Sequence, residues 1–269
     1  HQHVQRRMAS AGYARPTQLG DLPLELFTRA VPDERSVMVR RVSKGARAAV
    51  REVSFFWDCN IDHRPAQAEA LAGETFRRAV AERLNVRLVW RAANNPRVVA
   101  ALLRAVLNTP GMAQRVVGLD LSCTGDYSMG SRRDISTLLV ALLKEMHNLV
   151  ELNLARSGLR LWSMDHASLS AHNFGEELAA SLVHCQSLQK IDLSGNRQLR
   201  SSPLRDLAAA LGQLPNVRVF KANANQLGWE YLNVLVRAIA KWPRLEELGL
   251  AGNDETCYAL CDEADAYDD

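Results

Sequence analysis

The sequence predicts an α/β fold: a solenoid of strand, turn and helix units, preceded by a small all-α module. Three observations predict it. The first is a frame, an apolar residue at positions one, four and six and Asn or a small hydroxyl residue at position nine. It runs Leu188 to Asn196, and recurs at Val116 to Thr124, Leu149 to Ser157, Val217 to Asn225 and Leu245 to Asn253. A weaker copy is expected from Val86 to Asn94. The second is spacing: the starts fall at 86, 116, 149, 188, 217 and 245, and self-similarity at a period of 20 to 50 residues marks stacked units. The third lies between the frames. Leu139, Leu143 and Met146; Leu178, Leu182 and Cys185; Leu207, Leu211 and Leu214; and Leu235, Ile239 and Trp242 step by four and three, which places each set on one helical face. Inside the frame, apolar residues such as Ile191 and Leu193 alternate, as in a strand buried on one side.

These residues resemble the leucine-rich repeat of the long, ribonuclease-inhibitor type, firmly over 116–253 and loosely over 74–115. The resemblance implies a right-handed horseshoe with a parallel concave sheet and convex helices. Strands stack about 4.8 Å apart and helices about 8–10 Å apart, so such a stack must curve with its sheet inside. Asn196, Asn225 and Asn253 stand where the strand turns, and an amide there can satisfy the turn's backbone groups. Thr124 and Ser157 replace Asn in earlier units, so the turn is expected to be less well tied there.

Taken in order, residues 1–18 read as a linker, as in a segment cut from a longer protein. Residues 19–60 read as a helical module. Asp21 is a suitable N-cap and Pro23 suits a first helical turn. Pro32 breaks that helix, and Val39, Val42, Ala46, Ala49 and Val53 mark a second one. Phe55, Phe56 and Trp57 form an aromatic knot closing the module. Leu22-Pro23-x-Glu25-Leu26 with Val42-Ser43-Lys44-x-x-Arg47 resembles an F-box, the module that docks on the SKP-type linker of cullin-based ubiquitin ligases. The resemblance implies that Leu22, Pro23, Glu25, Leu26 and Val42 meet that partner. The bottom-up alternative is a helical cap sealing the open end of the array.

Residues 61–115 read as a largely helical, irregular capping repeat. Asn94-Asn95-Pro96 breaks it, Val98 to Leu107 forms a helix, and Asn108 to Gly111 forms a turn. The regular repeats fill 116–253, and 254–269 is an acidic tail. Extra residues at Tyr127 to Arg133 and Arg156 to His172 should emerge as loops. Leu159, Leu161, Trp162 and Met164 in the longer one form either a partner contact or local core.

Composition narrows the function. Net charge is +3, split between a basic 1–110 and a remainder rich in acids, with seven acids and no base in the tail. The arginines are dispersed and accompany no nucleic-acid motif, so nucleic acid is not the expected partner. No run of eighteen apolar residues suggests a membrane span. Five cysteines without regular spacing argue for a reducing compartment, hence a cytoplasmic location. Cys257 and Cys261 lack a second ligand pair, so no metal or other cofactor is expected. The histidines stand without a paired acid and nucleophile, and no phosphate loop or nucleophile elbow occurs, so no enzyme is expected.

Between the inward residues of each strand lie rows facing the concavity: Gly118, Glu151, Lys190, Val219, Glu247; then Asp120, Asn153, Asp192, Lys221, Gly249; then Ser122, Ala155, Ser194, Asn223, Ala251. Glu151, Asn153, Lys190, Asp192, Lys221, Asn223 and Glu247 are the candidate client-binding residues. Their mixed signs suit a protein partner. The expected function is a non-enzymatic adaptor that joins a client to a ubiquitin ligase. The alternative is a stand-alone scaffold whose N-terminal helices only cap it. Twenty-eight arginines against five lysines, with Gly175 to Ala179, resemble the GALA-type F-box and leucine-rich-repeat effectors of plant-pathogenic bacteria. That likeness implies virulence, type III secretion, and work in the host cytoplasm or nucleus.

Overall fold

In the computed structural model, residues 37–41, 52–57, 65–90, 95–123, 129–157, 174–196 and 203–253 are described. They form one eight-stranded sheet with strands in chain order. β1 (Val37–Arg41) pairs antiparallel with β2 (Glu52–Trp57). From β2 onward every pairing is parallel: β3 (Asn85–Val89), β4 (Val116–Asp120), β5 (Glu151–Asn153), β6 (Lys190–Asp192), β7 (Val219–Lys221) and β8 (Glu247–Gly249). A helix lies between each parallel strand and the next: α1 (Pro65–Ala81), α2 (Pro96–Leu107), α3 (Met129–Glu145), α4 (Phe174–Leu182), α5 (Pro203–Leu211) and α6 (Trp229–Ile239). Neighbouring helices pack in the same order. The arrangement is α/β and compatible with a solenoid.

The predicted columns form the core. Leu139, Leu143, Met146, Leu178, Leu182, Cys185, Leu207, Leu211, Leu214, Leu235, Ile239 and Trp242 are all buried, as are Leu152, Ile191 and Phe220 beneath the strands. Burying a Leu-sized side chain contributes about 1.5–3 kcal/mol, so the repetition of these positions is the main source of stability. Cys185 belongs to this core. Its thiol donates to the Leu143 carbonyl at 3.4 Å, and burial pushes its pKa up to about 12. The unfolded thiol ionises near pH ~8.5 while the native one stays neutral, so this residue's contribution to stability is full below that pH and falls as pH rises. In peptide-resolved alkylation at pH 8, exposed Cys123 should react at once and Cys185 only on unfolding. Comparable rates would contradict its burial.

The strand-to-helix turn repeats in detail. The turn after β7 has a second left-handed residue, Gln226 (φ 57°), but each turn has one at the same place: Cys123 (φ 57°), Arg156 (50°), Gly195 (71°), Ala224 (52°) and Gly252 (70°). For a side-chain-bearing residue this costs roughly 1–2 kcal/mol. The backbone N–H it aims donates to the next unit's carbonyl: Cys123 to Ala155 at 2.8 Å, Arg156 to Ser194 at 2.8 Å, Gly195 to Asn223 at 2.7 Å and Ala224 to Ala251 at 2.8 Å. The next residue carries the asparagine ladder. Asn196 Nδ2 donates to Leu193 O at 2.8 Å and Leu154 O at 2.9 Å. Asn253 Nδ2 donates to Leu250 O at 2.8 Å and Ala222 O at 2.7 Å. Asn225 Oδ1 accepts from Asn196 N at 2.6 Å, and Asn253 Oδ1 from Asn225 N at 2.9 Å. Ser157 keeps a weaker version, its hydroxyl 3.4 Å from Asn196 Oδ1.

The N-terminal region differs from expectation. Residues 39–53 do not form one amphipathic helix, and the part of 19–60 that is described is not all-α. Val37-Met38-Val39 and Glu52 to Trp57 are rich in β-branched and aromatic residues. Such residues fit a pleated, half-buried surface, and the sheet edge at β3 offers them hydrogen-bonding partners. Phe55 is buried edge-on against Phe76, with ring centroids 5.7 Å apart. The first helix, and with it Leu22, Pro23, Glu25, Leu26 and Val42, lies outside the described residues.

Residues 66–110 are not helical throughout, because β3 separates α1 from α2. The weak frame placed at Val86 is one residue out. Leu88 pairs with Leu119 and Val89 with Asp120, after an irregularity between Val86 and Arg87. A one-residue slip exchanges the two faces of a strand: Leu88 and Trp90 are buried, while Arg87 faces out. Asn95 caps α2 as the break implied, its side chain accepting from Arg97 N and Val98 N. The shorter expected loop is partly helical, since α3 starts at Met129. Leu159, Leu161, Trp162 and Met164 lie outside the described residues. Among the described residues no helix is long and apolar enough to cross a membrane.

Candidate functional site

Among the described residues, nothing covers the face of the sheet away from the helices. Its first two predicted rows are in register: Gly118, Glu151, Lys190, Val219 and Glu247 are successive Cα partners, and so are Asp120, Asn153, Asp192, Lys221 and Gly249. The face holds an open depression of about 480 Å³, bordered by Phe56, Arg87, Asp120, Glu151, Lys190 and Lys221 among others.

Arg87 organises its near side. The guanidinium bonds Glu52 through Nε and Glu151 through Nη1. Glu151 also receives Lys190 Nζ at 2.8 Å. The chain Glu52, Arg87, Glu151, Lys190 therefore alternates in sign from β2 to β6. To reach Glu151, Arg87 crosses β4 over Gly118. A Cβ at Gly118 would stand 3.0 Å from Arg87 Cγ and 3.2 Å from its Nη1. The glycine keeps the path open. Burial acts to lower the Arg87 pKa, but the hydrogen bond to Glu52 and the charges of Glu151 and Glu52 raise it on balance. Burial acts to raise that of Glu151, and the bond to Lys190 with the nearby Arg87 charge lowers it on balance. Across the face, Lys221 Nζ meets Glu247 Oε1 at 2.7 Å, and that hydrogen bond raises the Lys221 pKa.

The second row is tied to the backbone. Asp120, Asn153 and Asp192 each accept, through Oδ1, the backbone N–H two residues on: Ser122 at 3.0 Å, Ala155 at 3.0 Å and Ser194 at 2.9 Å. These side-chain turns end each strand. Asn223 is committed as well. Its N–H donates to Ser194 Oγ at 3.1 Å and its Oδ1 accepts from Ala251 N at 2.9 Å. The seven candidates thus divide. Glu151, Lys190, Lys221 and Glu247 present charged heads in ion pairs. Asn153, Asp192 and Asn223 spend polar atoms shaping the strand ends.

Sequence reasoning missed Glu52, Phe56 and Arg87 as part of this face, and it left Asp120 out of the candidate set. The slipped β3 frame hid Arg87, and the expected helix hid Glu52 and Phe56. Asp120 was in a predicted row, and its Asp-x-Ser spacing, shared with Asp192, was the available signal. Among the described residues no group of three His, Cys, Asp or Glu side chains is placed to hold a metal ion. Cys257 and Cys261 lie outside the described residues.

No protein-family model matches the chain, and no curated protein matches it in sequence. What the fold and this face define is an α/β protein whose described residues form one sheet in chain order, with helices against one side and a charged surface on the other.

Proposed function

We propose that this chain is a leucine-rich-repeat protein that binds another protein on its open sheet face and performs no catalysis itself. The observation that carries the reading is the in-register face: seven parallel strands expose rows of alternating charge around a shallow depression. With strands closer together than helices, a stack of this kind curves around its sheet, and a curved polar face can hold a folded partner. Its mixed signs do not suit a phosphate backbone, which rewards a row of bases. Few residues in such an interface carry most of the affinity, and Lys190, exposed, and Lys221, half-buried, are cations near its centre.

The N-terminal motif supports a second reading, in which Leu22, Pro23, Glu25, Leu26 and Val42 dock on an SKP-type ligase linker and the chain is an adaptor. β1 and β2 occupy part of the span the F-box helices would need, so the scaffold reading stands first. Pull-down with purified SKP-type linker separates the two. Capture lost in Leu22→Ala plus Pro23→Ala, with the thermal transition kept, establishes the adaptor. No capture by the unaltered chain removes it. For the open face, Lys190→Glu plus Lys221→Glu should reduce recovery of a cross-linked client by roughly tenfold or more, corresponding to about 1.4 kcal/mol. Unchanged recovery would show that clients bind elsewhere.

A further inference from the structure

The β2–β5 end of the depression carries groups that the ion pairs leave unused. Neighbouring strands bring Ser54, Arg87, Gly118 and Glu151 side by side in one row, and Phe56, Val89, Asp120 and Asn153 in the next. Ser54 borders the depression and is only 3% exposed, yet its hydroxyl makes no hydrogen bond. Among the described residues, Asn225 Nδ2 is the only fully enclosed side-chain atom without a partner. The unbonded Ser54 hydroxyl therefore opens onto the depression. A polar group this deep is normally satisfied, and one that is not calls for a guest.

Arg87 supplies the second requirement. Its side chain is 28% exposed, with Nε donating to Glu52 and Nη1 to Glu151. Guanidinium hydrogen bonds lie in the plane of the group, so these two edges are taken and the flat faces are not. The two carboxylates also fix the plane, which leaves little side-chain freedom to lose on binding. A fixed, planar cation is a platform for stacking an aromatic ring. Phe56 and Val89, both half-buried, border the same depression from the next row and add an apolar wall. Its volume of about 480 Å³ admits a large side chain. An aliphatic guest would leave the Ser54 hydroxyl unmet, and an acidic one would stand among Glu52, Asp120 and Glu151. We propose that this end of the depression is the anchor subsite for an aromatic side chain with a polar tip, tyrosine or tryptophan, presented by a protein partner. The ring stacks on Arg87 beside Phe56 and Val89, and its O–H or N–H bonds Ser54. The inference rests on the reading of this face as a protein-binding surface and adds the residue type that the surface selects.

Nuclear magnetic resonance titration of the full, unaltered chain with N-acetyltyrosinamide and N-acetyltryptophanamide tests it. At least one should shift the Arg87 Nε–H and Gly118 N–H resonances saturably, while N-acetylleucinamide and acetate should not. No saturable shift with either aromatic probe, or an equal response to the leucine amide or to acetate, overturns the proposal. Ser54→Ala should weaken the responding probe by roughly three- to tenfold, the worth of one hydrogen bond, and leave N-acetylphenylalaninamide unaffected. Unchanged affinity for the responding probe overturns the assignment. Arg87→Lys keeps a cation between Glu52 and Glu151 but loses the plane, and should weaken the same probe by roughly threefold or more. If that variant does not fold, Ser54→Ala decides. The wider reading fails separately: probe shifts at Arg87 together with client recovery indifferent to Lys190→Glu plus Lys221→Glu would support the subsite and sink the client surface. Absent probe shifts with recovery still lost in that double variant would sink the subsite alone.

Discussion

Asn196→Ala should lower unfolding free energy by about 2–4 kcal/mol, more than either neighbouring turn residue examined the same way. The side chain bridges two units: its Nδ2 satisfies Leu193 O in its own turn and Leu154 O in the turn before. Alanine leaves both carbonyls buried without that donor, and an orphaned buried polar group costs about 1–3 kcal/mol. It also removes the acceptor of the Ser157 hydroxyl. Asn225→Ala should cost less, about 1–2 kcal/mol. There the Oδ1 serves Asn196 N, but Nδ2 has no hydrogen-bond partner, so fewer bonds are lost. Urea unfolding of the two variants provides the check. An equal or larger cost at Asn225 would mean that the donor half of the amide is not what ties the units.

Trp242→Ala should cost about 3–5 kcal/mol. Trp242 is the last large side chain of the final helix column. Its ring meets Phe220 edge-on, with centroids 5.5 Å apart, and its Nε1 donates to Leu211 O at 2.9 Å. The indole thus joins the last unit to the one before through packing and a hydrogen bond. Trp242→Phe should retain most of the packing and lose chiefly the bond, costing about 1–2 kcal/mol. A double-mutant cycle with Phe220→Leu should show coupling near 0.5–1.5 kcal/mol from the aromatic pair. A Trp242→Ala variant as stable as the parent would mean that α6 and β8 are not cooperatively joined to the rest. Because stacked units unfold in proportion to their neighbour contacts, the loss should appear first as fraying at the β8 end.

Legibility in the sequence followed the strength of local periodicity. The columns from Leu139 to Trp242, the paired alternation of Ile191 and Leu193, and the asparagine turns were all readable, because each unit repeats the same burial demand. The rows of the open face were readable for the same reason: once the inward residues are fixed, alternation fixes the outward ones. Reading failed where the pattern was short. A window holding Val39, Val42 and Val53 fits a helical period as well as two separate strands, and only the adjoining sheet edge decides between them. At β3 the count broke because Val86 pairs with Val116 but Arg87 with Gly118, which leaves Val117 of β4 as an extra residue and put Arg87 on the wrong face. The mixed roles within the candidate set were hidden too, since nothing local says that Asn153 and Asp192 turn back to their own backbone while Lys190 and Lys221 reach across strands.

By itself, then, the sequence determined, for the repeats from β4 to β8, which side chains go inside, where each strand turns, and which residues share the outward rows. These follow from period and turn chemistry, which are properties of a few consecutive residues. The tertiary structure alone decided that β1 and β2 extend the sheet, that β3 is shifted by one, and that Arg87 passes over Gly118 to join Glu52 to Glu151. Those outcomes depend on which backbone groups and charges stand on the neighbouring strand, and for Arg87 and Glu151 the partners are 64 residues apart in the chain.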